Sequence, residues 1–282
     1  MPTRAIPLLA GYDVVSRLGR GAGAVISLAT ERATGRPVAI KHVVRRGPED
    51  DRYLAQAENE WRVGRGVDHP YLRRCYDIAR VRRWLRTREL FLVMEYVDGE
   101  RLEDRRPEDM GEVTAVFRQI AEGLHALHQA GYAHADIKPH NVLLAANGGL
   151  KIIDYGQSCP LGHVKKNIQG TADYIAPEQV LRREIDQRTD VYNLGATMYW
   201  VVTGKWFKTM IGAAAPGTTR IALESKRDNA PPHELEPRVP LALSKLIMEC
   251  CETAREARPR DMREVLSRLE VVEHLLGRRG DA

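Results

Sequence analysis

No stretch of the chain reaches the ~18 consecutive apolar residues that a membrane-crossing helix requires, and the N-terminus lacks the apolar run of a secretory leader. Both absences lead to the expectation of a soluble, cytoplasmic chain without membrane contact. Cysteine is scarce as well. Cys75, Cys159, Cys250 and Cys251 have neither the CxxC spacing of a metal site nor the pattern of a paired disulfide framework. They are expected as free thiols in a reducing compartment. Neither sign of charge dominates: 43 Lys and Arg are interspersed with 38 Asp and Glu, so the excess of +5 does not indicate a nucleic-acid partner. Repeats and low-complexity tracts are missing too. With 43% hydrophobic residues over 282 positions, disorder is excluded, and the chain can form one large domain or two lobes, each with its own core, around a cleft.

What is present changes character midway. From Tyr12 to Tyr96 short β-rich runs, at Tyr12–Leu18, Ala24–Ala29, Val38–Val44 and Leu90–Tyr96, are broken by Gly, Pro and charged turns. One helix interrupts them. It starts near Pro48, with Glu49, Asp50 and Asp51 where carboxylates favour the helix dipole, and runs to about Gly64. Beyond Asp98 and Gly99 the apolar period becomes helical, at Val113, Val116, Phe117, Ile120, Leu124 and Leu127, and again at Met262, Val265, Leu266, Leu269 and Leu276. Residues 191–202 are apolar nearly all round, the mark of a buried central helix. The expected order is a sheet-rich lobe followed by a larger helical one.

Gly19, Gly21 and Gly23 lie between two expected strands, where backbone without side chains can fold over phosphates and offer N–H donors, although an ordinary Gly-rich hairpin has the same composition. Lys41 closes the run Val38-Ala39-Ile40-Lys41, at a spacing from the glycines that suits an ammonium reaching the α- and β-phosphates. Such a lysine needs a carboxylate, and the following helix offers Glu58 and Glu60.

The most specific signal is His134-Ala135-Asp136-Ile137-Lys138-Pro139-His140-Asn141, followed by Lys151-Ile152-Ile153-Asp154-Tyr155-Gly156. These segments resemble the catalytic loop and magnesium-binding motif of protein kinases, in the family's order and at its usual spacing. Met94-Glu95-Tyr96-Val97, Gly170-Thr171 leading into Ala176-Pro177-Glu178, Asp190 and Arg258-Pro259 extend the resemblance over roughly residues 12 to 272. It implies an α+β, bilobal protein-kinase fold, with an N-lobe at 1–97 and a C-lobe at 98–282. It also implies an eukaryotic-like (Hanks-type) serine/threonine kinase, similar to bacterial ones, that uses ATP with Mg2+, or Mn2+ as a substitute, on Ser/Thr-bearing proteins.

Residue by residue, the resemblance implies Asp136 as the base that takes the hydroxyl proton and Lys138 as the cation facing the γ-phosphoryl. Asn141 and Asp154 hold the metal, and Glu60 rather than Glu58 pairs with Lys41. Leu18, Gly19, Gly21 and Gly23 cover the nucleotide. Ile26, Ala39 and Leu143 flank the adenine, Met94 is the gatekeeper, Glu95 and Val97 offer backbone hydrogen bonds, and Asp104 reaches the ribose. Glu178 and Arg258 form a structural ion pair.

This chain departs from the family's pattern at four places. Ala24 stands where the third glycine belongs, Ala135 replaces an arginine (a non-RD catalytic loop), Tyr155 replaces a phenylalanine, and Gly64 replaces a large apolar residue. Gly64 either makes room for Tyr155 or ends the helix early. Two other functional classes remain: an ATP-binding pseudokinase acting as a scaffold, and a small-molecule phosphotransferase, which generally lacks the Lys-Pro after the catalytic Asp. Arg73, Arg74, Arg80, Arg82, Arg83, Arg86 and Arg88, with Trp84 among them, form either a docking patch for an acidic partner or a solvated hairpin.

Overall fold

A two-residue alternation along the third strand sets up the first half of the fold. In the computed structural model, which describes residues 9–21, 23–84, 86–146, 148–212, 222–223 and 228–280, five strands form one antiparallel sheet. They are β1 (Tyr12–Gly21), β2 (Ala24–Glu31), β3 (Pro37–Val44), β4 (Cys75–Arg83) and β5 (Arg86–Glu95), in the order β1-β2-β3-β5-β4. Val38 and Ile40 join Ala29, Phe91 and Val93 on one face. Ala39 and Val43 join Leu90, Leu92 and Met94 on the other, where helix α1 (Asp51–Gly64) packs through Leu54 and Ala57. Lys41 has the parity of Ala39 and Val43, so its side chain meets α1.

These elements, together with Asp154–Gly156, make one compact unit ending at Asp98; Gly99–Ile153 and Gln157–Ala282 make the other. Strand β4 had no counterpart among the expected strands. Arginine crowds its period, yet Ile78 and Val81 still pack on the sheet. The arginine-rich run is not one surface either. Arg73 is 6% exposed and bound to Glu60, Arg74 pairs with Asp68 and Arg80 with Glu58, while Arg82, Arg83 and Arg86 remain exposed around Trp84.

Two of the departures are resolved by packing in this unit. Gly23 turns between β1 and β2 with φ +72°, a conformation that favours glycine, and Ala24 buries its methyl in the cluster beneath the sheet. Gly64 is the last residue of α1 and is followed by Arg65 in ordinary right-handed geometry, so it is not a left-handed helix terminator. It is a point of close approach. A Cβ there would lie 2.5 Å from Cys75 Sγ and 3.1 Å from the ring of Tyr155. The Tyr155 hydroxyl donates to Arg73 O at 3.0 Å, in the segment before β4 and not on the helix itself.

The second unit begins with strand β6 (Gly99–Arg101) and helix α2 (Met110–Gln129), followed by β7 (Tyr132–Ala133), β8 (Val142–Ala145), β9 (Leu150–Ile152), β10 (Cys159–Pro160), β11 (His163–Val164), α3 (Pro177–Val180) and β12 (Glu184–Ile185). It continues through α4 (Gln187–Thr203), α5 (Pro232–Leu235), α6 (Leu241–Cys250) and α7 (Met262–Gly280). The apolar stripe of α2, from Val113 to Leu127, is buried, and α4 is buried on every side. Asp186 caps α4 by accepting from Arg188 N, and Gly204 ends it at φ +69°. All four cysteines are free and buried. Among the described residues no helix is long and apolar enough to cross a membrane.

Glu178 and Arg258 form a two-headed pair at 2.8 and 3.0 Å, both almost fully buried. Burial acts to raise the Glu178 carboxyl, but hydrogen bonds and charge from Arg258, with the Thr189 hydroxyl, outweigh it and hold the group below its ordinary 4.5. A depressed carboxylate contributes stability that is present above the unfolded value and lost as pH falls through the folded one.

Two expectations follow from this packing. Gly64→Ala should destabilise the chain by about 1–3 kcal/mol, and by less in a Cys75→Ala background, with a coupling of about 0.5–3 kcal/mol in denaturant unfolding; additive effects would contradict the close approach. In calorimetry at stepped pH, the unfolding temperature of the wild type should fall more steeply below pH 4.5 than that of Glu178→Gln. At neutral pH that variant should lose about 3–5 kcal/mol, because it leaves Arg258 buried and unpaired.

Candidate active site

Each unit carries one polar cluster. In the first, Glu60 occupies a position in the apolar stripe of α1, between Ala57 and Val63, and has no exposure. A carboxylate there must be paired. Lys41 Nζ donates to its Oε2 at 2.7 Å, and an Arg73 terminal nitrogen donates to Oε1 at 2.6 Å. Glu58 points elsewhere, to Arg80. Lys41 also lies 3.8 Å from Asp154, whose side chain is 46% exposed. Burial works against the charge on Lys41, but Glu60 and Asp154 outweigh it and raise its pKa above the ordinary lysine value. Asp154 has φ +67°, and its Oδ1 accepts from Gly156 N at 3.2 Å.

The residues assigned to the nucleotide in this unit line the sheet and its end. Leu18 is exposed, and a Cβ at Gly19 or Gly21 would meet open space. The ring of Tyr53, on α1, lies against Gly23. Ala39 and Met94 are buried, while Ile26, Glu95 and Val97 are half-buried. The Glu95 N–H is donated to Arg74 O at 3.0 Å.

In the second unit the loop from His134 to Asn141 is anchored from below. Asp190, wholly buried on α4, accepts from His134 N at 2.8 Å, from Ala135 N at 2.7 Å and faces His128 Nε2 at 2.8 Å. Burial would raise its pKa, and these partners instead hold it below the usual carboxylate range. The anchoring supports Ala135 at φ +59°, an unfavourable conformation for alanine. Above the anchor, Asp136 Oδ2 accepts from Lys138 Nζ at 2.9 Å and from Asn141 Nδ2 at 3.3 Å. Its Oδ1 accepts from the Thr171 hydroxyl at 2.9 Å, and Lys138 donates to that hydroxyl at 2.6 Å. Leu143 is half-buried in β8, and Asp104 is exposed.

The segment from Gln157 to Glu178 is tied down by hydrogen bonds to the loop and within itself. Ser158 is buried and donates to His134 O at 3.3 Å. Lys165 donates to Gln157 O at 2.5 Å, and burial pushes its ammonium below the ordinary lysine range. Gln179 donates to Ala135 O at 2.8 Å and to Gln169 O at 3.1 Å.

Residues that sequence reasoning missed fall into two kinds. Arg73 sits in the irregular stretch between α1 and β4, where no period marks a residue as inward-facing. His128 and Gln179 lie on helices, and their partners are far away in the chain. A charged or amide residue in a helix's buried stripe, as at Gln179, is the one signal that could have pointed to them.

The protein kinase domain family matches residues 12–269. A probable serine/threonine-protein kinase of Clostridium acetobutylicum is 29% identical over 93% of this chain and 40% of its own length. Serine/threonine-protein kinases PknA of Corynebacterium glutamicum and PknL of Mycobacterium tuberculosis are each 32% identical, over 70% and 72% of this chain and 44% and 52% of theirs. The chain thus spans about half the length of these relatives or less. With nearly all of its length matched, and an α+β architecture of a sheet-rich unit followed by a helical one, the chain belongs to the protein kinase domain family.

Proposed function

We propose that the chain is an active serine/threonine protein kinase of the non-RD type, which transfers the γ-phosphoryl of Mg-ATP to protein hydroxyls. The observation that carries this reading is Asp136, held by Lys138, the Thr171 hydroxyl and the Asn141 amide on a loop that Asp190 anchors. Three donors on one carboxylate hold it in a fixed orientation, as a general base requires. The kinase names of the bacterial relatives agree.

In this reading the hydroxyl oxygen of a serine or threonine bonds to the γ-phosphorus as the bond to the β,γ-bridging oxygen breaks. ADP leaves with that electron pair, and the hydroxyl proton passes to Asp136. Lys138 neutralises charge on the phosphoryl oxygens, and Lys41, oriented by Glu60, binds the α- and β-phosphates. Leu18, Gly19, Gly21 and Gly23 cover the nucleotide. Ile26, Ala39 and Leu143 offer apolar surface to adenine beside Met94, with the Glu95 carbonyl and the Val97 backbone as its polar contacts.

Asp154 and Asn141 would hold Mg2+ or Mn2+. The Asn141 amide nitrogen is engaged by Asp136 O at 2.9 Å, which leaves the amide oxygen as ligating atom, and with a half-exposed carboxylate this is the oxygen donor set such a cation prefers. Bound there, the cation neutralises phosphate charge and orients the triphosphate.

Ala135 removes the cation that a phosphorylated segment would engage, and Ser158, the only hydroxyl besides Tyr155 between Asp154 and Thr171, is buried. Activity therefore does not depend on phosphorylation of that segment.

With labelled ATP and Mg2+, Asp136→Asn should lower transfer by at least about 100-fold while the unfolding temperature stays near wild type; turnover equal to wild type would show that Asp136 is not the base, and a wild type without transfer would favour the scaffold reading. Phosphatase treatment before a kinetic assay should leave the rate unchanged. A large loss that returns on rephosphorylation of residues 157–178 would contradict the non-RD assignment.

A further inference from the structure

Arg73 has no role in the reading above, yet it is the most unusual charge in the first unit. It is 6% exposed, and its Nε has no hydrogen-bond partner. An apolar side chain of similar volume would fill this place without the desolvation that a guanidinium requires. Burial opposes its charge, and Glu60 more than restores it. Its terminal nitrogen takes Oε1 of Glu60, the oxygen that Lys41 does not use, so the carboxylate is bonded at both oxygens by different cations. Without Arg73, Oε1 would lose its donor at a position with no exposure.

The backbone of the same residue faces the opposite way. Arg73 O accepts from the Tyr155 hydroxyl at 3.0 Å, and Asn59, the neighbour of Glu60 on α1, donates to Tyr155 O at 3.0 Å and Gly156 O at 3.3 Å. Contacts therefore run in a closed circuit from Lys41 to Glu60, Arg73, Tyr155 and Asp154, and back to Lys41 at 3.8 Å. Moving α1 off the sheet would break the Glu60 and Asn59 contacts together. Charge points the same way. Lys41 and Arg73 balance Glu60 and Asp154, whereas without Arg73 the cluster would carry one net negative charge and repel a triphosphate.

We propose that Arg73 is a positioning residue for phosphoryl transfer: it holds Oε1 of Glu60 so that Oε2 stays on Lys41, and it supplies the positive charge that lets the cluster accept a nucleotide. The Lys41–Glu60 pair is thus built into this unit and needs no external signal to form. The proposal rests on the kinase reading for its consequence but not for its geometry.

The test measures kcat and KM for ATP, thermal unfolding, and calorimetric affinity for ADP with Mg2+, in wild type, Arg73→Gln, Arg73→Lys, Glu60→Gln and the Glu60→Gln/Arg73→Gln double variant. Arg73→Gln should lower kcat/KM for ATP by about 10- to 100-fold. Arg73→Lys, which keeps the charge but not the reach, should lose only about 3- to 10-fold. In the Glu60→Gln background, Arg73→Gln should lower ADP affinity by less than it does beside Glu60, because only the charge and not the hold on Oε1 is then lost, a dependence on Glu60 that a merely structural arginine would not show. Wild-type kinetics in both Arg73 variants, or an equal loss of ADP affinity in both backgrounds, would overturn the proposal. If Arg73→Gln does not fold, Arg73→Lys decides: reduced kcat/KM at an unchanged unfolding temperature supports the role, and wild-type kinetics overturn it. A wild type that binds ADP but transfers no phosphate would sink the kinase reading, while the affinity measurements still judge Arg73.

Discussion

A carboxylate taken wholly out of water must meet cations or N–H donors close by, because the low-dielectric interior offers nothing else to stabilise it. Three such groups organise this chain. Glu60 takes Lys41 and Arg73 and so fixes α1 on the sheet. Asp190 takes the backbone of His134 and Ala135 and so fixes the loop that carries Asp136. Glu178 takes Arg258 and so ties the end of the 157–178 segment to the chain's last third. Each places a polar side chain or loop within the tolerance that chemistry requires, and removing one partner would leave the other exposed to the same constraint.

The two clusters meet this constraint by different means. In the first unit cations do the work, and their charge is also what a polyanionic nucleotide needs. In the second, two backbone N–H groups and His128 satisfy Asp190, and Lys138 is the cation that meets Asp136. The cost appears in the backbone: Ala135 and Asp154 both have positive φ, at +59° and +67°. Conformations of this kind persist only where surroundings over-determine them. Asp190, Gln179 and Ser158 provide that surrounding for Ala135 and its neighbours through direct hydrogen bonds.

Several oddities of the sequence are pairs of compensating changes. Gly64 without a side chain leaves room for Cys75 Sγ and the Tyr155 ring, and the extra hydroxyl of Tyr155 finds a carbonyl instead of remaining unsatisfied. Gly23 provides the left-handed turn, so the methyl of Ala24 can enter the core beneath the sheet. The departure in each motif is local, and a neighbour within the same unit absorbs it.

By itself, the sequence determined the change from strand to helix near Asp98, the place of α1, the buried stripe of α2, the all-round burial of α4, and the identity of the loop around Asp136. Those features are carried by period and by contiguous motifs, which are local properties of a chain. Strand β4 was not legible, because arginine stems pack on the sheet as well as apolar residues do, while their charge conceals the period. Which glutamate meets Lys41 was open to residue-level reasoning, and the tertiary structure sets Glu60 inside the apolar stripe and Glu58 outside it. Arg73, Gln179 and His128 were decided by the tertiary structure alone. The Glu60 carboxylate, the Ala135 carbonyl and the Asp190 carboxylate that they meet lie 13, 44 and 62 residues away, and a hydrogen bond to a distant carboxylate or carbonyl leaves no period, spacing or composition for a sequence to display.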